Sequence, residues 1–188
     1  KSTTDIGDSP LGKILPYVDQ YDPGQLFPIP RSKPRACLEL EKNQIRFTGY
    51  DGWRCYELSW LNSQGVPQEA VAVFVFPCES PNLIEHKSLK LYLNSLNQTR
   101  YTDWSEAQAV ITNDLGKCCG SDVEVKLHAL HEQKYTITHE VKDEVSIDSA
   151  DVLQPVSYSY APEKLCLDPS GEMVEECLVS HKLKSNCL

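Results

Sequence analysis

The chain has 188 residues, of which 40% are hydrophobic and 24% charged, so it can bury a core and form one large domain or two small ones. Its formal net charge of −9 disfavours binding to a nucleic-acid backbone, because such binding depends on many Lys and Arg residues. The longest apolar run, residues 70–77, is too short to span a bilayer, and the first residues have no signal-type pattern. We therefore expect a cytoplasmic protein with no direct nucleic-acid partner and no membrane partner.

Eight cysteines are scattered along the chain. A chain of this size with strong apolar segments does not need a disulfide scaffold, so we interpret them as reduced thiols. Cys55, Cys78 and Cys177 lie in strand-like apolar surroundings, which indicates a packing role. Cys118 and Cys119 are neighbours near a predicted helix end and are poorly arranged for an ordinary bridge.

The first 35 residues are rich in Pro, Gly, Asp and Ser and show no sustained hydrophobic period. This composition is typical of an extended segment on a protein surface. We predict an extended N-terminal arm over residues 1–50 and assign no chemistry to it.

A β-hairpin and two amphipathic helices are predicted next. Segments 53–61 and 69–76 are rich in β-forming residues and are separated by a turn at Gly65. Asp103 and Glu106 predict a capping box for the second helix, and Gly116 is expected at its end. The apolar stripes that predict the two helices are Leu89, Tyr92, Leu93 and Leu96, followed by Ala107, Val110, Ile111 and Leu115.

Residues 122–129 alternate polar and apolar side chains, which predicts a strand with one buried face. The order strand, strand, helix, helix, strand predicts an α+β fold with two helices on one face of a mainly antiparallel sheet. We assign this module to residues 51–130 and a polar linker or insertion to residues 131–155. A strand-like run resumes later, so a second module is expected to begin in residues 156–188.

Segment 85–92 carries the first candidate site. Lys87 and Lys90 lie three residues apart, so on a helix they share a face that could hold a ligand phosphate. Glu85 would lie at the start of that helix, where its carboxylate can accept hydrogen bonds from the N–H edge of a guanine-like base. The structural alternative is a capping box formed by Asn82 and Glu85, with two solvated lysines.

Cys187 is the second candidate, as a nucleophile. Lys182 and Lys184 precede it closely, and nearby ammonium groups favour the reactive thiolate over the thiol. The alternative is an ordinary buried thiol, which is what most free cysteines are. A third pattern, His128 and His131, lacks the further ligands of a tetrahedral site, so we predict no metal.

Four segments, 56–62, 82–85, 87–95 and 178–188, resemble the long, two-module form of 7-cyano-7-deazaguanine reductase, QueF. The pairing of an E-x-K-S-x-K-x-Y box with a distant L-K-S-N-C is more specific than either motif alone. The resemblance implies a tunnelling fold (T-fold), in which each module is a four-stranded antiparallel sheet with two helices on one face. It also implies that the first module is complete, that the second is truncated, and that the whole protein is a homodimer.

The resemblance further implies the reaction and its residues. A nitrile, that of 7-cyano-7-deazaguanine, would be reduced to the aminomethyl compound with NADPH, in queuosine biosynthesis for tRNA modification. Cys187 would be the catalytic nucleophile that forms a thioimide. Glu85 and Ile84 would bind the small-molecule deazaguanine, while Lys87, Ser88 and Lys90 would bind NADPH.

Two departures from the family pattern accompany this assignment. The family usually has serine directly after the motif glutamate, where this chain has His86. Its general-acid aspartate and a substrate-binding His-Glu pair are expected beyond residue 188, so we expect weak or no turnover from this chain alone. Two other functions stay open: a binding or assembly module of the same fold without chemistry, and a cysteine hydrolase that pairs Cys187 with a histidine.

Overall fold

A computed structural model describes residues 18–36, 47–132, 145–146, 170–171 and 177–180. Compact units are formed by residues 1–137 and 138–188. The first unit contains most of the described residues. Its helices and strands, in chain order, are β1 (Pro28–Pro30), α1 (Ser32–Ala36), β2 (Tyr50–Asn62), β3 (Pro67–Pro77), β4 (Asn82–Ile84), α2 (His86–Ser95), β5 (Arg100–Tyr101), α3 (Trp104–Cys119) and β6 (Glu124–His128).

The main sheet has four strands in the order β5-β2-β3-β6. The β2–β3 and β3–β6 pairs are antiparallel, and the short β5 pairs in parallel with the end of β2. The predicted hairpin is confirmed, with its turn at Gly65, where φ is +84°. This left-handed conformation suits a glycine, because other residues meet a steric penalty there.

A β-bulge interrupts β2. The register places Cys55 opposite Ala72 and Leu58 opposite Ala70, so Tyr56 and Glu57 together face a single residue of β3. An extra residue would reverse the alternation of faces along a strand, and the bulge absorbs it. Trp53, Cys55, Leu58 and Trp60 therefore all contact the same core.

Both helices pack on one face of the sheet, as the sequence predicts. Alternate residues of β3 contact the apolar stripes of the two helices in one buried cluster. The mixed α+β class is thereby confirmed. The members of this cluster that come from β3 and the helices are Ala70, Ala72, Phe74, Phe76, Leu89, Tyr92, Leu93, Leu96, Ala107, Ile111, Leu115 and Cys119.

The ends of α3 differ in detail from the prediction. The Asp103 carboxylate caps the helix by accepting from Glu106 N at 2.9 Å, whereas the Glu106 carboxylate accepts from Thr102 N rather than from the capping residue. The prediction of an end at Gly116 is wrong. The helix continues to Cys119 and ends at Gly120, whose φ of +71° is the left-handed conformation that glycine favours at a C-terminal cap.

The described part of the arm has local order that hydrophobic periodicity does not reveal. Residues Pro23–Gln25 form a 3₁₀ turn capped by Asp22, and β1 pairs antiparallel with β4. Arg31 donates to Ser80 Oγ at 3.0 Å and forms an ion pair with Asp51. The described part of the arm is therefore bound to the rest of the first unit through specific polar contacts.

In the second unit, the described residues include β7 (Val145–Ser146) and β8 (Leu178–Val179), which pair in parallel. β8 lies within the strand-like run predicted over residues 173–183, of which the structure describes residues 177–180. Throughout the described ranges of both units, no helix is long and apolar enough to cross a membrane.

Candidate functional site

Glu85 lies at the junction of β4 and α2, where it is the N-terminal cap of the helix. Its carboxylate accepts hydrogen bonds from Lys87 N at 2.9 Å and from Ser88 N at 2.8 Å. Its backbone N–H donates to the Phe27 carbonyl at 2.9 Å. Its own carbonyl accepts from the Ser88 hydroxyl at 2.7 Å and from Leu89 N at 3.0 Å. The side chain and the backbone of Glu85 are thus both held in place.

Only 6% of Glu85 is exposed. The negative carboxylate is stabilised by two backbone N–H donors and by the positive end of the α2 dipole. An ionised carboxylate can accept about four hydrogen bonds, so the two capping bonds leave acceptor capacity for a ligand. The alternative in which Asn82 begins the helix is wrong, since Asn82 lies in β4 and donates to the Cys118 carbonyl at 3.3 Å.

Lys87 and Lys90 are both in the first turns of α2, as predicted. Lys90 is exposed and Lys87 partly exposed. Because the Glu85 carboxylate already accepts from the N–H groups of Lys87 and Ser88, those donors are occupied by the cap. An anionic ligand at this helix would be held by lysine side chains rather than by the helix N-terminus.

Ser88 and Ile84 are buried, with exposed fractions of 0% and 1%. The Ser88 hydroxyl accepts from Phe27 N at 3.0 Å as well as donating to the Glu85 carbonyl. Ile84 is the last residue of β4 and pairs with Pro28 of β1. Both residues flank Glu85 and link it to the arm, and the ligand contacts assigned to them stay predictions.

His86, at the first position of α2, packs its ring against Trp53 with a centroid distance of 4.9 Å. Trp53 in turn contacts Phe76, at 5.0 Å, within the sheet. The residue that departs from the family pattern therefore contributes an exposed aromatic surface beside Lys87.

A buried polar cluster behind α2 was not predicted from the sequence. Asp114 of α3 is 5% exposed, and its Oδ2 accepts from the hydroxyls of Tyr21 and Tyr92, each at 2.8 Å. Burial, together with the hydrogen bond to Asp114, raises the pKa of Tyr21 to about 12 and that of Tyr92 further. The buried hydroxyl of Tyr101 has no hydrogen-bond partner. Tyr92, the tyrosine of the E-x-K-S-x-K-x-Y box, thus makes a structural contact with Asp114.

The five cysteines within the described ranges are free thiols. Burial raises the pKa of Cys118 to about 12 and that of Cys119 to about 11, and it also raises the pKa of Cys55. A raised pKa lowers the fraction of reactive thiolate near neutral pH. Cys187, with Lys182 and Lys184, lies outside the described residues, so its role as nucleophile stays a prediction.

His128, the last residue of β6, forms a 2.8 Å contact between Nδ1 and Oε2 of Glu132. Across the described part of the chain, no group of three or more His, Cys, Asp and Glu side chains is arranged to hold a metal ion.

The bulge of β2 contributes to a cavity of about 260 Å³. None of the candidate residues of α2 lines it. Its lining consists of Tyr56, Glu57, Leu58, Ser59, Glu69 and Leu130.

Three relatives illustrate what the chain is similar to. A protein from Legionella pneumophila (strain Lens) is 43% identical over 180 residues, which are 96% of this chain and 62% of the relative. One from Delftia acidovorans is 45% identical over 186 residues, 96% of this chain and 65% of the relative. One from Colwellia psychrerythraea is 41% identical over an alignment of 192 positions, which covers 100% of this chain and 67% of the relative.

Each of these relatives is named an NADPH-dependent 7-cyano-7-deazaguanine reductase. The chain spans about 62 to 67% of the length of these curated relatives.

The fold and the site define an α+β domain that presents a buried acidic cap and two lysines at the start of one helix. A family model described as "Nitrile reductase, 7-cyano-7-deazaguanine-reductase N-term" matches residues 17–127. The chain belongs to this family of nitrile reductases. The match includes the described part of the arm, the main sheet, both long helices and the E-x-K-S-x-K-x-Y box.

Proposed function

We propose that the protein reduces the nitrile of 7-cyano-7-deazaguanine to 7-aminomethyl-7-deazaguanine with NADPH, a step of queuosine biosynthesis for tRNA modification. The names of the similar proteins support this reaction. The observation that carries the proposal within this chain is the buried carboxylate of Glu85, held by the backbone and retaining acceptor capacity.

Glu85 is proposed to bind the deazaguanine. A guanine-like ring presents an N–H edge, and charge-assisted hydrogen bonds from that edge to a carboxylate are about twice as strong as neutral ones. The carboxylate is already desolvated and oriented in the free protein, so binding costs little further ordering. Ile84, next to it in β4, is proposed to help shape the same site.

Cys187 is proposed as the nucleophile. Its thiolate would add to the electrophilic nitrile carbon while the nitrile nitrogen takes up a proton, which gives a covalent thioimide. Attachment to the protein keeps the partly reduced intermediate from escaping before the second reduction. Lys182 and Lys184 would favour the thiolate electrostatically.

The donor set of α2 fits a cofactor that carries phosphates. Lys87 and Lys90 present ammonium groups on one helix, and the exposed ring of His86 lies beside Lys87. Each bound NADPH would supply one hydride equivalent, so the reduction of a nitrile to an amine would use two NADPH molecules in turn. Lys87 and Lys90 would hold its phosphates as point charges. Ser88, the third residue assigned to the cofactor, would serve that site only indirectly within the same turn, because its buried hydroxyl already accepts from Phe27 N and donates to the Glu85 carbonyl.

The finer architecture is also proposed. A tunnelling-fold module is proposed for residues 51–130, preceded by the arm at 1–50, and two helices on one face of a sheet support it. The sheet departs from the wholly antiparallel one that the resemblance implies, because β5 pairs in parallel with β2. Residues 131–155 would be a linker or insertion, and residues 156–188 would begin a second module. The whole protein is proposed to act in the cytoplasm as a homodimer, without direct contact with nucleic acid.

The proposal is tested by NADPH oxidation in the full-length enzyme, with and without 7-cyano-7-deazaguanine. Nitrile-dependent oxidation is expected, together with two NADPH consumed per aminomethyl product. Cys187→Ala should abolish turnover, while the control Cys177→Ala should retain it. Binding of the nitrile without oxidation of NADPH would support the alternative of a binding module without chemistry. Acyl hydrolysis by the wild type but not by Cys187→Ala, without NADPH, would establish a cysteine hydrolase instead.

A further inference from the structure

One part of the arm, residues 19–31, runs along α2 and is called the strap below. Five of its polar contacts join it to α2 or to the residues directly flanking that helix. They are Gln98 N to Asp19 O at 3.1 Å, Tyr21 N to Thr99 Oγ1 at 3.1 Å, Asp22 N to Ser95 Oγ at 3.1 Å, Phe27 N to Ser88 Oγ at 3.0 Å, and Glu85 N to Phe27 O at 2.9 Å.

Two of the hydroxyls that accept from the strap are fully buried. Ser88 and Ser95 lie seven residues apart on α2, so both fall on one face of the helix together with Tyr92. Each hydroxyl also donates to a carbonyl of the same chain segment, at Glu85 for Ser88 and at Tyr92 for Ser95. A buried hydroxyl that loses its partner has a free-energy cost, so these bonds fix the strap relative to the helix.

Asp114 connects the strap to the rest of the domain. Its carboxylate accepts from Tyr21 of the strap and from Tyr92 of α2, so one oxygen joins the strap, α2 and α3. A buried carboxylate without a cation is costly unless hydrogen bonds satisfy it. In Asp114 both oxygens are satisfied, because Tyr21 and Tyr92 donate to Oδ2 and Asn113 donates to Oδ1.

The strap ends its contact with α2 at Glu85. Phe27 accepts from the backbone of Glu85 and donates to the Ser88 hydroxyl, which itself donates to the Glu85 carbonyl. A displacement of the strap would therefore move the backbone of Glu85. Glu85 is 6% exposed and its carboxylate is bound to Lys87 N and Ser88 N, so the carboxylate cannot compensate for such a displacement. Lysine side chains are long and flexible, so the ammonium groups of Lys87 and Lys90 can compensate for the same displacement.

We propose that the strap is a positioning element for Glu85, anchored at Asp114 through Tyr21, and that it determines affinity for the nitrile base rather than for NADPH. This inference rests on the proposed function, because it takes Glu85 as the group that binds the base. Tyr21 and Ser95 are the positioning residues, and neither is assigned a contact with substrate or cofactor.

The test measures dissociation constants of 7-cyano-7-deazaguanine and of NADPH by calorimetry in the full-length enzyme. The variants are Tyr21→Phe, which removes the hydroxyl that donates to Asp114, and Ser95→Ala, which removes the acceptor of Asp22 N. Tyr50→Phe is the matched control, since Tyr50 and Tyr21 are both 41% exposed and Tyr50 lies outside the strap. Melting temperatures show whether each variant is folded at the temperature of the titration.

Tyr21→Phe and Ser95→Ala are each expected to weaken binding of the base about three- to tenfold and to change NADPH affinity less than twofold. Tyr50→Phe should change neither. A lower melting temperature with unchanged base affinity would overturn the proposal, because the strap would then be structural only. Equal weakening of both ligands would overturn it as well.

Glu85→Ala, measured alongside, separates this inference from the function on which it rests. If Glu85→Ala leaves base affinity unchanged, the proposed base site fails and the strap proposal fails with it. If Glu85→Ala weakens the base while the strap variants do not, only the strap proposal is overturned.

Discussion

The two long helices of the first unit both begin at an acidic cap, yet the two caps differ in their surroundings. Asp103 of α3 is exposed, its carboxylate accepts one backbone hydrogen bond, from Glu106 N, and its carbonyl accepts one from Ala107 N. Glu85 of α2 is buried, its carboxylate accepts two backbone hydrogen bonds, and its own N–H donates to the Phe27 carbonyl. Aspartate is a favoured N-terminal cap, and glutamate is not among the favoured residues. Capping therefore accounts for the residue type of Asp103, whereas the residue type of Glu85 agrees with the further role proposed for it in binding the base.

The largest expected effect separates the two caps by function. Glu85→Ala should weaken binding of 7-cyano-7-deazaguanine roughly 10- to 150-fold, because one charge-assisted hydrogen bond is worth about 1.5–3 kcal/mol. Asp103→Ala should change it less than about twofold, since that cap contacts only its own helix. Titration calorimetry at fixed ionic strength measures both. Equal losses in the two variants would remove the functional distinction between the caps.

The polar cluster behind the buried cap should contribute more stability than an unpartnered hydroxyl nearby. Tyr92→Phe is expected to lower the free energy of unfolding by about 2 kcal/mol, because it removes a donor from the buried Asp114 carboxylate. Tyr101→Phe removes a buried hydroxyl that has no partner and should be neutral or slightly stabilising. Urea denaturation of the two variants provides the comparison. A larger loss in Tyr101→Phe would contradict the hydrogen bonding described here.

Removal of the exposed Asp103 cap is expected to have a smaller effect, on stability and not on binding. Asp103→Ala should lower the free energy of unfolding by about 1 kcal/mol, the usual cost of losing an N-terminal cap. Asp103→Asn should retain the bond to Glu106 N and cost only about a few tenths of that amount. Both values come from urea denaturation. If the asparagine variant is as unstable as the alanine variant, the side-chain cap does not stabilise α3.

A pH dependence of stability is also expected, from the polar cluster behind α2. Burial and the hydrogen bond to Asp114 raise the pKa of Tyr21 to about 12, and burial also raises that of Tyr92. The folded state therefore retains protons that the unfolded state releases above about pH 10, so stability is full below that pH and falls as the pH rises toward 12. Tyr92→Phe should reduce this loss, as thermal unfolding at several alkaline pH values would show. A loss of the same size in Tyr92→Phe and the wild type would contradict the assignment.

Periodicity and turn residues predicted the hairpin, both helices, the last strand and the packing of both helices on one face of the sheet. These features depend on local patterns, which a single sequence contains. The end of α3 was predicted at Gly116, and the structure places it at Gly120. A glycine that terminates a helix adopts a left-handed conformation, and residue type alone does not show which of two glycines does so.

The polar contacts of the site could be predicted less well from the sequence. The position of Glu85 at the start of a helix was predicted, but its burial and its link to Phe27 were not. Phe27 N and Ser88 Oγ are 61 residues apart in sequence, and Tyr21 and Asp114 are 93 apart. A serine, a tyrosine or an aspartate has no local pattern that identifies such a distant partner.

Glu85 is proposed to bind the nitrile base, and Cys187 is proposed to be the residue that attacks its nitrile carbon. Mass spectrometry of the full-length enzyme incubated with 7-cyano-7-deazaguanine, without NADPH, tests this claim most directly. We predict one adduct per chain on Cys187 in the wild type, and little or none in Glu85→Ala under the same conditions. An unmodified Cys187 in the wild type, or full adduct formation in Glu85→Ala, would contradict the account.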